Sequence, residues 1–238
     1  MTRIAGSKKL KRQMAPLFWG ISRKTPRFVT TVRPGPHSKH FSIPTAVFLR
    51  DTLKIVKTAR EAYYAIYNGK VKVDGITRKS IHHGIGLMDV VELDGVNDVY
   101  RLVPRQGHIL EPIKIKNSEK SVKLVKVTSK TTIKKGKTQL GFHDGRSLLS
   151  DTNVNVGDSC LMHVPDQKIS DVFKLEKGAK VIVTNGINAG QVGDVHEIRE
   201  GTFVLPKRVL LTLAKREIEI PAELVMVVGK KEPVIQIA

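Results

Sequence analysis

Asp144 in GFHDGRSLL, Cys160 with His163 in SCLMHV, the adjacent pair His82 and His83, and His37 with His40 are the side chains of this 238-residue chain best suited to proton transfer, nucleophilic attack or metal ligation. None completes a constellation. Cys160 and His163 are three apart on a predicted strand, so they point to opposite faces. With one cysteine and no standard Cys/His spacing, a structural zinc lacks its ligands. Asp144-Gly145 reads as a turn, and no catalytic triad is visible. The stretch VTNGINAGQVG, residues 183–193, invites a phosphate loop, yet no Gly-Lys-Ser/Thr follows and no helix is signalled. No catalytic residue, metal or cofactor is therefore expected.

What remains is the chemistry of fixed cations. The first fifty residues hold eleven Lys and Arg and no Asp or Glu, which is more than half of the chain's net charge of +19. Charge of one sign repels itself in a compact fold, so such a chain is suited to a polyanion: nucleic acid, an anionic membrane or an acidic protein. No apolar run approaches the ~20 residues needed to span a bilayer, and LFWGI is too short for a secretory core. Pro16, Gly20, Pro26, Pro34, Gly35 and Pro36 interrupt any long amphipathic helix of the transit or membrane-surface kind. A single cysteine rules out an internal disulfide.

The elements that must carry these cations follow in order. Residues 1–42 read as an extended, turn-rich arm with one short helical turn around Lys8 to Met14. Phe18, Trp19 and Phe28 sit among Arg12, Arg23, Lys24 and Arg27. Cations neutralise phosphates and release counterions, while the rings can stack on bases or pack onto the body. For an isolated Trp19, packing is the expected use. A solvated tail accounts for the lysines but not for Trp19, Phe18 or the stiff RPGPH. Deleting residues 1–42 is expected to leave the remainder folded.

IPTAVFLRDTLKIV then offers a helix, with Ala46, Leu49, Leu53 and Val56 on one stripe. In TARE, Thr58 and Glu61 form a capping box for a second helix that stops at Asn68-Gly69. KVKVDGITRK is a strand, a turn and a strand, with Val71 and Val73 on one face and Lys70 and Lys72 on the other. GLMDVVEL is a further strand bringing Leu87, Val90 and Leu93 inward. From Tyr100 to Leu175 the chain is strand-rich, with GDSCLMHV and KISDVFKL forming a hairpin. Lys134, Lys135 and Lys137 at a turn suit a solvated loop or a second phosphate contact equally. In residues 174–198, Val181 and Val183 mark a strand, Gly186, Gly190 and Gly193 close turns, and Val195 and Ile198 a returning strand.

Residues 43–100 resemble the alpha-L RNA-binding motif, carried by LRDTL, the capped TARE helix, NGKVKVDG and GLMDVVEL; the Arg that usually follows the cap residue is here one place later, at Arg60. Residues 174–238 resemble a KOW-type β-barrel, with Gln191 where a basic residue is usual. The order of KKLKR, AP, W and RPGPH, then the alpha-L motif, FHDGRS and VTNGINAGQVG, resembles the archaeal and eukaryotic form of small-subunit ribosomal protein four. The compact length fits an archaeal member. This resemblance implies an α+β multidomain fold: arm 1–42, alpha-L domain 43–100, β-rich domain 101–173 and barrel 174–238. It also implies a structural protein of the cytoplasmic ribosome that binds small-subunit rRNA beside neighbouring small-subunit proteins, without membrane or small-molecule substrate. The residues expected to meet RNA are Lys8, Lys9, Lys11, Arg12, Arg23, Lys24, Arg33, His37 and Lys39 in the arm, and Arg50, Arg60, Lys70, Lys72, Arg78 and Lys79 in the wedge. The alternatives are an RNA-modifying enzyme of pseudouridine synthase type and a KOW-bearing transcription or translation factor. Against the enzyme, Asp144 follows Phe142-His143, whereas those enzymes place their aspartate after Arg-Leu.

Overall fold

The computed structural model describes residues 9–106, 108–150, 152–213 and 216–237; Lys8 lies outside them. The acid-free leader folds back on itself. Strand β1 (Leu10–Lys11) pairs antiparallel with β2 (Phe28–Val29), and single 3-10 turns form at Arg12–Met14 and Leu17–Trp19. Trp19 is 2% exposed and its Nε1 donates to the Ser42 carbonyl at 2.9 Å. Leu10, Ala15, Phe18, Ile21 and Val32 join it in a core shared with Ile43, Val47, Phe48, Leu49, Ala62 and Ile66. The packing expected of Trp19 thus holds, but the arm is not dispensable. Removing residues 1–42 strips a whole layer from this core, where one buried aromatic ring alone is worth about 3–5 kcal/mol. Irregular spacing, set by turns rather than by a helix or strand period, hides this layer from a periodicity reading.

Strand β3 (Ile43–Pro44) takes the start of the first expected helix; the rest shortens to α1 (Thr45–Val47) and a π-type turn over Phe48–Thr52. Ala46 and Leu49 are buried and Leu53 and Val56 pack partly, as the stripe requires. Helix α2 (Ala59–Tyr67) carries the reciprocal cap: Glu61 N donates to Thr58 Oγ1 at 3.1 Å, and Thr58 N donates to Glu61 Oε2 at 3.4 Å. Gly69, at φ +76°, stops it. Strands β4 (Val71–Val73) and β5 (Ile76–Thr77) flank Asp74-Gly75, both with positive φ, as a two-residue hairpin turn requires. Strand β6 (Gly84–Ile85) pairs with β3, and β7 (Val90–Leu93), β8 (Val99–Arg105) and β9 (His108–Ile115) complete a sheet ordered β5-β4-β7-β8-β9. Position 100 therefore falls inside β8, and the wedge sheet runs on to Ile115. Val91, Tyr100 and Leu102 feed the first core, whereas Val90, Val99 and Val103 feed a second one.

Strands β10 (Val122–Thr132), β11 (Thr138–Phe142), β12 (Ser147–Leu149), β13 (Ser159–His163) and β14 (Lys168–Phe173) form a sheet ordered β12-β11-β10-β13-β14. The expected β13–β14 hairpin is present. Cys160 is buried and His163 exposed; burial first, then Asp158, pushes the thiol up to about 11. A third sheet, ordered β18-β17-β16-β15-β19, comprises β15 (Lys180–Val183), β16 (Val192–Arg199), β17 (Arg208–Leu213), β18 (Arg216–Pro221) and β19 (Val225–Gly229). The second core, with Val181, Val183, Val195, Leu211 and Val227, joins this sheet to β7–β9. The architecture is β-rich with few helices.

Gly190 shows how closely the two units fit. It adopts φ +81°, and a Cβ there would lie 2.8 Å from Arg105 Cα and closer still to the Pro104 carbonyl oxygen. Gly190→Ala is expected to cost about 1–3 kcal/mol, through both strain and displacement of the loop from β8. Urea unfolding measures this directly; an unchanged midpoint would mean that the loop is not seated there.

Candidate nucleic-acid interface

The side chains predicted to meet phosphate divide into two groups. Lys9, Lys11, Lys24, Arg33, Lys39, Arg60, Lys70, Lys72 and Lys79 are exposed. Lys9 lies 5.6 Å from the Phe28 ring centre. The other eight make no ion pair with a described acidic residue. Arg12, Arg23, Arg50 and His37 are engaged within the protein. Arg12 is buried, with Nε donating to Pro26 O at 3.0 Å and Nη1 to Ser22 O at 3.1 Å. Arg23 donates to the carbonyls of Gln13 and Ala15. Arg50 pairs with Asp51 at 2.7 Å, and Arg78 is half-buried. His37 is buried against Asp89. Sequence alone does not separate a cation that closes a turn from one aimed outward.

The unpaired cations cluster by element. Lys70, Lys72, Arg78 and Lys79 share the β4–β5 hairpin, where Lys72 stands opposite Thr77 and Arg78 N donates to Val71 O. Arm and wedge meet along a groove of about 490 Å³ lined by Arg12, Thr25, Arg50, Lys54 and Lys57, with Asp51 as its acidic member. Several other surface cations are neutralised: Lys114 on β9 by Asp98, and around the last sheet Lys180 by Asp194, Lys207 by Glu200, and Arg199 and Arg208 by Glu219. One exception is a cleft of about 600 Å³ between β14 and the segment after β19, lined by Lys174, Lys177, Lys230 and Lys231. Those lysines are too far apart in sequence to have been grouped beforehand.

Holding the arm to the wedge is a buried ionic cluster that sequence reading missed. Lys123 on β10 is fully buried, its Nζ 2.5 Å from Asp89 Oδ1, 2.8 Å from Asp74 Oδ2 and 3.1 Å from Asp144 Oδ2. Arg146 reaches Asp74 at 2.7 Å, and His37 reaches Asp89 at 3.0 Å. Backbone N–H groups of Gly86 and Val90 donate to Asp89 and Asp74. RPGPH, VDG, LMDVV, SVKLV and FHDGR thus converge on one ammonium group. Burial disfavours both charges, yet the mutual attraction prevails: Lys123 is raised, and Asp89 and Asp144 are held below the usual carboxylate range. Gly86 has no Cβ to collide with the His37 ring, which lies against it.

Asp144 is consequently a structural anion, 1% exposed at its side chain and tied to Lys123. No group of three or more His, Cys, Asp or Glu that could hold a metal ion occurs among the described residues. His82 Nδ1 lies 2.8 Å from Thr31 O, and the His82 and His83 carbonyls accept from Arg33 and Thr45, so this pair joins arm to wedge.

His143 gives the cluster a pH signature. Its Nδ1 accepts from Lys126 N at 3.1 Å, and its Nε2 stands 3.2 Å from the Leu87 carbonyl. Burial, then the positive field of Lys123, pushes it down to about 4. Between roughly pH 6.5, the unfolded value, and pH 4, the unfolded chain binds a proton that the folded chain refuses. Stability should fall as pH drops through that window. It should fall further below it, as the depressed carboxylates protonate. Urea midpoints at pH 7.5, 5.5 and 4.5 test this, with His143→Gln expected to flatten the upper part of the decline.

Exposed cations without described acidic partners, on a β-rich scaffold whose buried charges are paired, give the chain a surface chemically suited to a polyanion. The S4e ribosomal family matches residues 96–169 and the RS4NT (NUC023) domain matches residues 5–40. The chain is 37% identical over 236 residues to small ribosomal subunit protein eS4 of Pyrobaculum arsenaticum, across 96% of this chain and 98% of that one. To its counterpart in Methanothermobacter thermautotrophicus it is 38% identical, across 100% and 98%. The crystal structure of 30S ribosomal protein S4e from Thermoplasma acidophilum is similar with a TM-score of 0.68 and 33% identity, across 79% of this chain and 95% of that one. The chain belongs to the S4e family of ribosomal proteins.

Proposed function

We infer that this chain is a structural constituent of the small ribosomal subunit that binds and stabilises folded small-subunit rRNA through phosphate contacts. Its place is then the cytoplasmic ribosome, among neighbouring small-subunit proteins. Family membership supports the setting, and the names of its relatives agree with it. The observation that carries the contact mode is the set of eight exposed cations on the arm, α2 and the β4–β5 hairpin that have no acidic partner among the described residues.

In this reading residues 43–100 act as an alpha-L domain. The capped α2 and the Asp74-Gly75 hairpin support that assignment. Residues 174–238 act as a KOW-type barrel; the five-stranded order and the close approach at Gly190 support this. Folding RNA brings its phosphates together, and fixed Lys and Arg offset that repulsion locally. A-form helices keep their bases in a groove that side chains do not read, so docking by shape and phosphate position follows.

Fractionating cell extract on a high-salt gradient tests the assignment. The protein is expected to travel with the small subunit. Its recovery with free protein or with another particle would overturn the reading.

A further inference from the structure

Helix α2 turns an aromatic edge toward solvent. Residues 60, 63, 64 and 67 recur at three- and four-residue spacing, so Arg60, Tyr63, Tyr64 and Tyr67 form one stripe. The opposite side carries the fully buried Ala62 and Ile66. Tyr63, Tyr64 and Tyr67 are 51%, 67% and 61% exposed. Tyr63 and Tyr67 lie ring on ring, with centroids 5.7 Å apart and planes 12° from parallel. A single exposed ring needs no explanation, but three in two turns, with two already aligned, make a platform with open outer faces.

The surroundings select its occupant. Lys57 and Lys54 lie on the groove at the N-terminal end of α2, and Lys70 and Lys72 follow its C-terminal end. The acidic residues nearby are engaged: Glu61 accepts from the Lys57 and Thr58 backbone, and Asp51 pairs with Arg50. A flat apolar surface inside a cationic field fits a molecule that is both anionic and π-faced. We propose that Tyr63 and Tyr67 stack on unpaired nucleotides of the bound rRNA while Arg60 holds the adjoining phosphate. This rests on the rRNA-binding reading above and adds to it: paired bases cannot present a face to a side chain, so α2 would select a bulge, loop or junction rather than a plain duplex.

The test uses the full chain and purified, protein-free small-subunit rRNA. Removing both rings in Tyr63→Ser/Tyr67→Ser is expected to weaken binding roughly 10- to 100-fold, as for one or two stacked bases. The slope against log salt should not change, because no phosphate contact is lost. Tyr63→Phe/Tyr67→Phe keeps the rings and should bind within about twofold. Arg60→Gln should instead flatten the slope by about 1.

Ultraviolet crosslinking of the unsubstituted protein supplies an arm independent of folding, since trypsin releases Glu61–Lys70 as one peptide. A nucleotide adduct on that peptide is expected. Wild-type affinity in the serine variant, or crosslinks elsewhere with none on this peptide, would overturn the proposal and leave the stripe to solvent or a protein neighbour. Failure of the wild-type chain to bind rRNA at all is a different result, which overturns the rRNA reading itself and this inference with it.

Discussion

Replacing Lys123 with Met is expected to destabilise the fold by about 3–5 kcal/mol, because it leaves buried carboxylates without their cation. Arg146 compensates only in part: it pairs with Asp74 at 2.7 Å and Asp144 at 3.5 Å, but makes no described ion pair with Asp89. At this chain length the melting temperature should fall by roughly 6–20 °C. The loss should shrink as pH is lowered, because protonation relieves the stranded Asp89 and Asp144. Lys123→Met combined with Asp89→Asn should recover part of the stability. A melting curve within about 1 kcal/mol of wild type would show that these ion pairs do not hold the arm, wedge and central sheet together.

Binding to rRNA is expected to weaken about 10³- to 10⁵-fold between 50 and 200 mM monovalent salt, the range for six to ten phosphates neutralised. The eight unpaired exposed cations supply contacts of that number. Buried Arg12 and His37 should add nothing directly to the slope; they act by fixing the arm. Filter binding over that range measures the slope, and a nearly flat line would be incompatible with phosphate contacts.

Much of the wedge was legible because its signals are local. Thr58 with Glu61 specifies a cap, Asp74-Gly75 a tight hairpin, and the Val71/Val73 alternation a buried face. Each depends on residues a few places apart. The first helix was overestimated, since its apolar stripe persists through a π-type turn that ends at Thr52, two residues before Lys54 takes φ +55°. The arm's packing was legible only at Trp19, whose chemistry demands an anchor wherever it lies. Its other core residues follow turns and have no period to betray them.

Least visible was the Lys123 cluster. Asp74 and Asp144 could be read as turn residues, which they are, and Lys123 as one more solvated lysine. Their convergence depends on five segments, from two sheets and the arm, meeting at one point. The positive φ at Gly145, whose added Cβ would lie 3.0 Å from the Pro36 carbonyl, shows how tightly the RPGPH turn is pressed there. No spacing rule carries that information.

A charge-neutralised variant tests the central claim most directly. Lys24, Lys39, Lys70, Lys72 and Lys79 are exposed, and each can be changed to Gln without disturbing a described ion pair. The fivefold variant should melt like wild type and bind rRNA with a log-log salt slope shallower by about 3.5–4.5, the share of five phosphate contacts. A variant that folds normally and keeps both the wild-type slope and the wild-type affinity would contradict the account.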